Sequence, residues 1–185
     1  RDQPRSRGLG DVYKRQVGDL KKILSNVKTR GILGEVQLGG ILEQILSPEQ
    51  YEENVATRPG SSERVEFAVK LPGSGAGETV YLPIDAKFPG DTYSALQEAY
   101  DTGDKAEIEL ARKLLLTRIA SEGKDIHDKY IAVPYTTDFA VMFLPFEGLY
   151  AEVVRNGMIE MLQRKYRVTI AGPTTMAALL NSLQM

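Results

Sequence analysis

Cysteine is absent from the 185-residue chain, so neither a disulfide nor a thiolate metal site is open to it. Histidine is reduced to a single residue, His127, which stands beside Asp125 and Asp128 near an expected helix end. With no second histidine and no serine around it, a surface or capping role outweighs a catalytic one. Long apolar runs are missing too: none approaches the ~18 residues that a membrane-spanning helix needs. The opening residues do not read as a signal peptide. A basic excess is equally lacking, because 23 Lys and Arg stand against 25 Asp and Glu. That disfavours a generally basic nucleic-acid module and confines any DNA contact to a local surface. These absences together lead us to expect a soluble, cytoplasmic protein with no membrane partner.

What is present reads as an ordinary globular chain, with 42% hydrophobic and 26% charged residues and enough length for one domain with a sizeable core. Residues 1–16 have no apolar periodicity, differ in composition from the rest and resemble translated adapter sequence. We expect them to be non-native and set them aside. They hold five basic and two acidic residues, so the remainder carries a net charge of −5. Over residues 17–30, Val17, Leu20, Ile23, Leu24 and Val27 recur at helical spacing, as in the remnant of an amphipathic helix. Residues 31–185 form the expected α/β domain. Its last stretch, 173–185, stops while a helical pattern is still running, so the chain is expected to be a fragment truncated at both ends.

After Arg30-Gly31, a helix is expected over 32–46, ended by Ser47-Pro48. On a helical projection Ile32, Val36, Leu38, Leu42 and Leu46 form one broad arc, with Glu35 between Leu42 and Leu46 and Glu43 also inside it. A carboxylate on an apolar face is an informative exception, although both acids could sit at an edge with only their stems packed. A short strand at 51–57 precedes a clean alternation over 64–71, with Val65, Phe67, Val69 and Leu71 on one side. The glycine-rich loop from Pro72 to Gly77 turns the chain back into a second strand over 79–89. There Val80, Leu82, Ile84, Ala86 and Phe88 share one face, and Tyr81, Pro83, Asp85 and Lys87 the other. The loop leaves the register open, and one allowed pairing sets Glu66 against Asp85.

A helix follows to about Tyr100, then a longer one over 104–129 with Ile108, Ala111, Leu114, Leu115 and Ile119 as its core face. The charged residues of that helix read as a solvated face. The apolar run 138–145 is the mark of a strand buried on both faces, with Asp138 at its entrance more suited to satisfying backbone than to binding metal. Helices at 147–155 and 158–166, a strand at 168–171 and a helix capped by Thr174 or Thr175 complete the chain. The natural solution is a mixed central sheet flanked by helices.

Glu35, Glu66, Asp85 and Lys87 make the one constellation with chemical content. A surface ion pair accounts for Asp85 and Lys87 taken alone. With two further acids nearby, the group suits phosphodiester hydrolysis, which needs a divalent cation to neutralise phosphate charge and to generate hydroxide. Mg2+, or Mn2+ in its place, accepts one or two carboxylates plus water. A lysine beside them holds phosphate or orients water, and burial or a nearby cation eases loss of its proton.

Five blocks in order, Arg30-Gly-Ile-Leu-Gly-Glu-Val-Gln-Leu38, Pro83-Ile-Asp-Ala-Lys-Phe-Pro89, Lys129-Tyr-Ile131, Thr136 to Tyr150 and Pro173-Thr-Thr175, resemble the RmuC family of DNA recombination proteins. The resemblance runs through nearly all of residues 17–185. It implies a bacterial, cytoplasmic protein that limits DNA rearrangement, acts on DNA with recombination proteins as partners, and has a long N-terminal coiled coil. It also implies a restriction-endonuclease-like PD-(D/E)xK core of order α-β-β-β-α-β, a metal-dependent nuclease or a scaffold of the same fold that does not cleave. Carried over by residue, Glu35 is the helix acid, Glu66 and Asp85 the strand acids and metal ligands, and Lys87 the motif lysine. This chain has Val65-Glu66 where the family pattern often has Pro-Asp.

Overall fold

The computed structural model describes residue 11 and residues 26–184. Residues 17–25 of the helical remnant expected over 17–30 lie outside the described residues. Helix α1 (Val27–Ile45) begins at Asn26, whose side-chain oxygen accepts from the backbone N–H groups of Lys28 and Thr29. Arg30-Gly31 does not separate two helices, as expected, but lies inside this one. Gly31 faces open space, so it costs only about 1 kcal/mol of helix propensity, while buried Arg30 packs against Gly90. The helix stops before Ser47-Pro48, as the proline requires, and a single 3-10 turn (Pro48–Gln50) leads into the sheet.

Five strands follow in spatial order β1 (Tyr51–Val55), β2 (Val65–Pro72), β3 (Thr79–Ala86), β4 (Ala140–Phe143) and β5 (Val168–Ala171). The first three are antiparallel, and β3–β4 and β4–β5 are parallel. The β2–β3 loop is tied by Glu78: its carbonyl accepts from Gly73 N–H and its carboxylate from Gly75 N–H. A Cβ at Gly73 would lie 2.8 Å from Glu78 Cβ and 3.2 Å from the Glu78 carbonyl oxygen, so glycine there is a packing requirement. With Pro72 set opposite Thr79, the register left open by the loop is fixed.

Parallel neighbours need long crossovers. Helices α2 (Gly90–Thr102) and α3 (Lys105–Tyr130) connect β3 to β4; α4 (Glu147–Arg155) and α5 (Met158–Tyr166) connect β4 to β5; α6 (Pro173–Leu183) closes the described chain. Among the described residues the result is a five-stranded mixed sheet with six helices around it. Leu38, Leu42 and Leu46 of the α1 region and Met176 and Leu180 of α6 pack on Phe67, Val69, Leu82, Ile84, Val141 and Phe143. Helices α2 to α5 cover Ala68, Ala140 and Met142 on the other side. Strand β4 is therefore buried on both faces, as its unbroken apolar run implies.

Helix α3 buries Ala111, Leu115, Ile119, Gly123, Ile126 and Tyr130. Leu114, expected in that face, is 53% exposed, because its neighbour Leu115 takes the core position about 100° away. Gly123 continues the ridge because Leu162 fills the space: an added Cβ would stand 2.6 Å from Leu162 Cδ2. Accordingly, Leu115→Ala should lower stability by about 2–5 kcal/mol in urea unfolding, whereas Leu114→Ala should change it by no more than about 0.5 kcal/mol.

Candidate functional site

The C-terminal end of β3 carries the densest buried charge among the described residues. Asp85 pairs with Met142 of β4, and the Lys87 N–H donates to the Phe143 carbonyl at 2.9 Å. The parallel ladder thus extends past the end of β3 and fixes the backbone under both side chains. Asp85 is 3% exposed, and its Oδ2 lies 3.0 Å from Lys87 Nζ. From α3, Glu122 Oε2 approaches the same ammonium at 3.5 Å, and Glu122 Oε1 accepts from Arg118 Nε at 3.0 Å. Four charges of alternating sign, Asp85, Lys87, Glu122 and Arg118, run from the interior to solvent.

Glu66 joins from the antiparallel neighbour. The register that pairs Phe67 with Ile84 sets Glu66 across from Asp85 when continued by one residue. The Glu66 carboxylate Oε2 accepts from the Ala86 N–H at 3.0 Å. Burial, with the Asp85 charge adding to it, pushes the Glu66 carboxyl up to about 8; the Ala86 N–H opposes the shift, Glu35 adds to it, and Lys87 opposes it. Burial also raises Asp85, with Lys87 pulling it back. Burial acts to lower Lys87, but Asp85 and Glu122 outweigh it and hold the ammonium above its ordinary range. The easier loss of a proton expected for a buried lysine is therefore reversed: Lys87 is a fixed cation. Tyr130, pushed up to about 12 mainly by burial and next by Asp85, stays a phenol.

Of the four residues expected to converge, Glu66, Asp85 and Lys87 are brought together. Glu35 is not on the apolar face of α1. The buried ridge is Arg30, Gly34, Leu38 and Leu42, which leaves Ile32 51% and Val36 67% exposed and Glu35 exposed beside them. Its neighbour Gly34 packs against Ala86, which places Glu35 near enough for its charge to act on Glu66. Glu43 is exposed as well. Asp138 is exposed before the start of β4, at the opposite end of the parallel pair from Asp85. His127 Nδ1 lies 2.9 Å from the Tyr166 carbonyl, which only accepts, so the ring joins α3 to the end of α5 in a structural role. Glu122 and Arg118 went unrecognised as part of the α3 solvated face. Their i,i+4 spacing was visible, but such pairs are common on helices and carry no pointer to a site.

The donor set tells what cation chemistry these residues suit. Asp85 Oδ2 is buried with no aligned hydrogen-bond donor, although Lys87 stands near as an ion partner. Two buried acids whose ionised forms are disfavoured are partners for added positive charge. Among the described residues no group of three or more His, Asp or Glu is disposed to cage a metal. A pair of carboxylates matches the sparse protein ligation of hydrated Mg2+ and not a full cage.

The raised Glu66 acidity has a thermodynamic consequence. Between its ordinary value of 4.5 and about 8, the folded protein keeps a proton that the unfolded chain has released. Stability is fullest below that window and falls as pH rises through it, by at most about 1.4 kcal/mol per pH unit for one proton. Urea unfolding from pH 5 to pH 8 should show this loss, and Glu66→Gln should remove most of it.

The family model described as "RmuC family" matches residues 8–185. A DNA recombination protein RmuC homolog from Xylella fastidiosa is 52% identical over 183 residues, covering 97% of this chain and 40% of the relative. A protein of the same name from Chlamydia trachomatis is 29% identical over 174 residues, covering 92% of this chain and 38% of that relative. The chain spans about two fifths of the length of these curated relatives. No solved structure matches it.

Proposed function

The chain belongs to the RmuC family, and on that premise we propose that it serves DNA recombination in the bacterial cytoplasm as a metal-dependent DNA nuclease core that limits rearrangement. The observation that carries this reading is the burial of Asp85 beside Lys87, with Glu66 across the strand pair. Buried charge of this density is costly to fold, and perturbed acids gathered around a cation are a mark of functional sites. The element order α-β-β-β-α-β fits a PD-(D/E)xK core, and recombination proteins are the natural partners.

Asp85 and Glu66 are the residues that would hold Mg2+ or Mn2+, and the bound cation supplies charge neutralisation and an activated water. Lys87, kept protonated by Asp85 and Glu122, donates to a phosphate oxygen or to the water and does not abstract its proton. Glu122 engages the same ammonium from α3. Glu35, exposed at the edge near Glu66, acts there through its charge alone.

A second reading has its own observation. Lys87 is already engaged by two carboxylates, and no three-acid group is present among the described residues. That pattern favours a scaffold which binds DNA or a recombination partner without cutting. Incubation of the purified protein with single-stranded, double-stranded and branched DNA in Mg2+ or Mn2+ separates the two. The nuclease reading expects metal-dependent cleavage, reduced about 10²- to 10³-fold by Lys87→Ala and by Asp85→Asn. Absence of cleavage by the wild type, with DNA binding equal in both variants, would leave the scaffold.

A further inference from the structure

Helix α3 carries more of the site than Glu122. At about 100° per residue, Arg118, Glu122, Asp125 and Lys129 fall within about 60° of one another, along the flank of the buried ridge. Glu122 fixes the position of this flank, because it touches Lys87 at 3.5 Å. Arg118 is held to Glu122 through Nε alone, and among the described residues its terminal nitrogens have no acceptor. Its side chain is 52% exposed. The open edge of the guanidinium is the part that grips a phosphate with two parallel hydrogen bonds. Lys129, exposed one residue before the end of α3, enters the same surroundings: its charge acts on Asp85. The two basic residues lie about 16 Å apart along the helix, on either side of the level of Glu122.

We propose that this flank of α3, with Arg118 and Lys129 as its two cations, is the surface that holds the phosphates of a DNA strand beside the Asp85–Lys87 site. It rests on the reading of that site as DNA-directed and adds where the strand lies. The placement resolves the charge problem of the chain, whose formal net charge is −2. DNA affinity then depends on a local basic edge, not on a general excess. Asp125 lies between the two cations and opposes a phosphate, so its removal should tighten binding. Lys124 is the internal control. It is exposed about 120° around the helix from Arg118 and paired with Asp128 at 2.8 Å.

The test is fluorescence anisotropy of a labelled DNA oligonucleotide in Ca2+ over a range of salt concentrations. Each phosphate contact removed should reduce the slope of log K against log salt by about 0.7–0.9. Arg118→Ala and Lys129→Ala should each do so, their combination should do so roughly twice, Arg118→Lys should retain the slope, and Lys124→Ala should leave it unchanged. Asp125→Asn should raise affinity. Both positions are exposed, and unchanged thermal unfolding of the variants confirms that they fold. An unchanged slope in Arg118→Ala and Lys129→Ala overturns the proposal while leaving a DNA-directed site intact. An equal loss in Lys124→Ala overturns it as well, since charge alone would then explain the effect. Failure of the wild type to bind DNA overturns the proposal together with the reading beneath it. Cleavage in Mg2+, measured in parallel, reports on the nuclease reading separately.

Discussion

The buried Asp85 carboxylate is the constraint on which the arrangement turns. A charge taken out of water is costly unless something of opposite sign stands against it, and here that is Lys87, two residues further along the same strand. The pair is not self-sufficient. Glu122 takes up the remaining reach of the ammonium, Arg118 balances Glu122, and Glu66 is held protonated into the neutral range by the same burial. Breaking the Asp85–Lys87 link leaves a buried charge uncompensated, whereas the outer Arg118–Glu122 pair, with Arg118 exposed, contributes little to stability.

The fold exists around that unit in a specific way. The β2–β3 hairpin sets Glu66 across from Asp85, and the parallel pairing of β3 with β4 extends the ladder to the Lys87 backbone. Parallel pairing demands a crossover, and the crossover is α2 with α3. Helix α3 therefore returns over the sheet end, where its flank carries Glu122 to Lys87. The topology that makes the sheet mixed is also what gives the charged strand end a helical wall.

Most of this architecture was legible in the sequence because it rests on local periodicity. The alternation in β2 and β3, the twofold-buried run of β4 and the boundaries of α4, α5 and β5 follow from residue order alone. The errors in the choice of helix face share one cause. Wherever a helix face had to be chosen among several apolar residues, long-range packing decided. Ile32 and Val36 looked equivalent to Leu38 and Leu42 until the sheet selected the ridge that begins at Arg30, and this displaced Glu35 to an exposed edge. Leu114 lost its place to Leu115 in the same manner. Glu122 was illegible for the converse reason: a charged residue on a charged face becomes distinctive only when the residue it meets, 35 positions earlier, is known. Lys87 stands beside Asp85, yet its proton affinity was misjudged, since burial alone lowers it and the Asp85 and Glu122 carboxylates outweigh that burial.

Whether this charged strand end is a cation site is open to one direct measurement. Mn2+ binding to the purified protein, followed by electron paramagnetic resonance, should reveal one site that disappears in Asp85→Asn and weakens in Glu66→Gln. Bound Mn2+ should also displace the proton held by Glu66, so affinity should rise between pH 6 and pH 8. No saturable Mn2+ binding, or binding indifferent to Asp85→Asn, would contradict the account and leave the Asp85–Lys87 pair a structural ion pair.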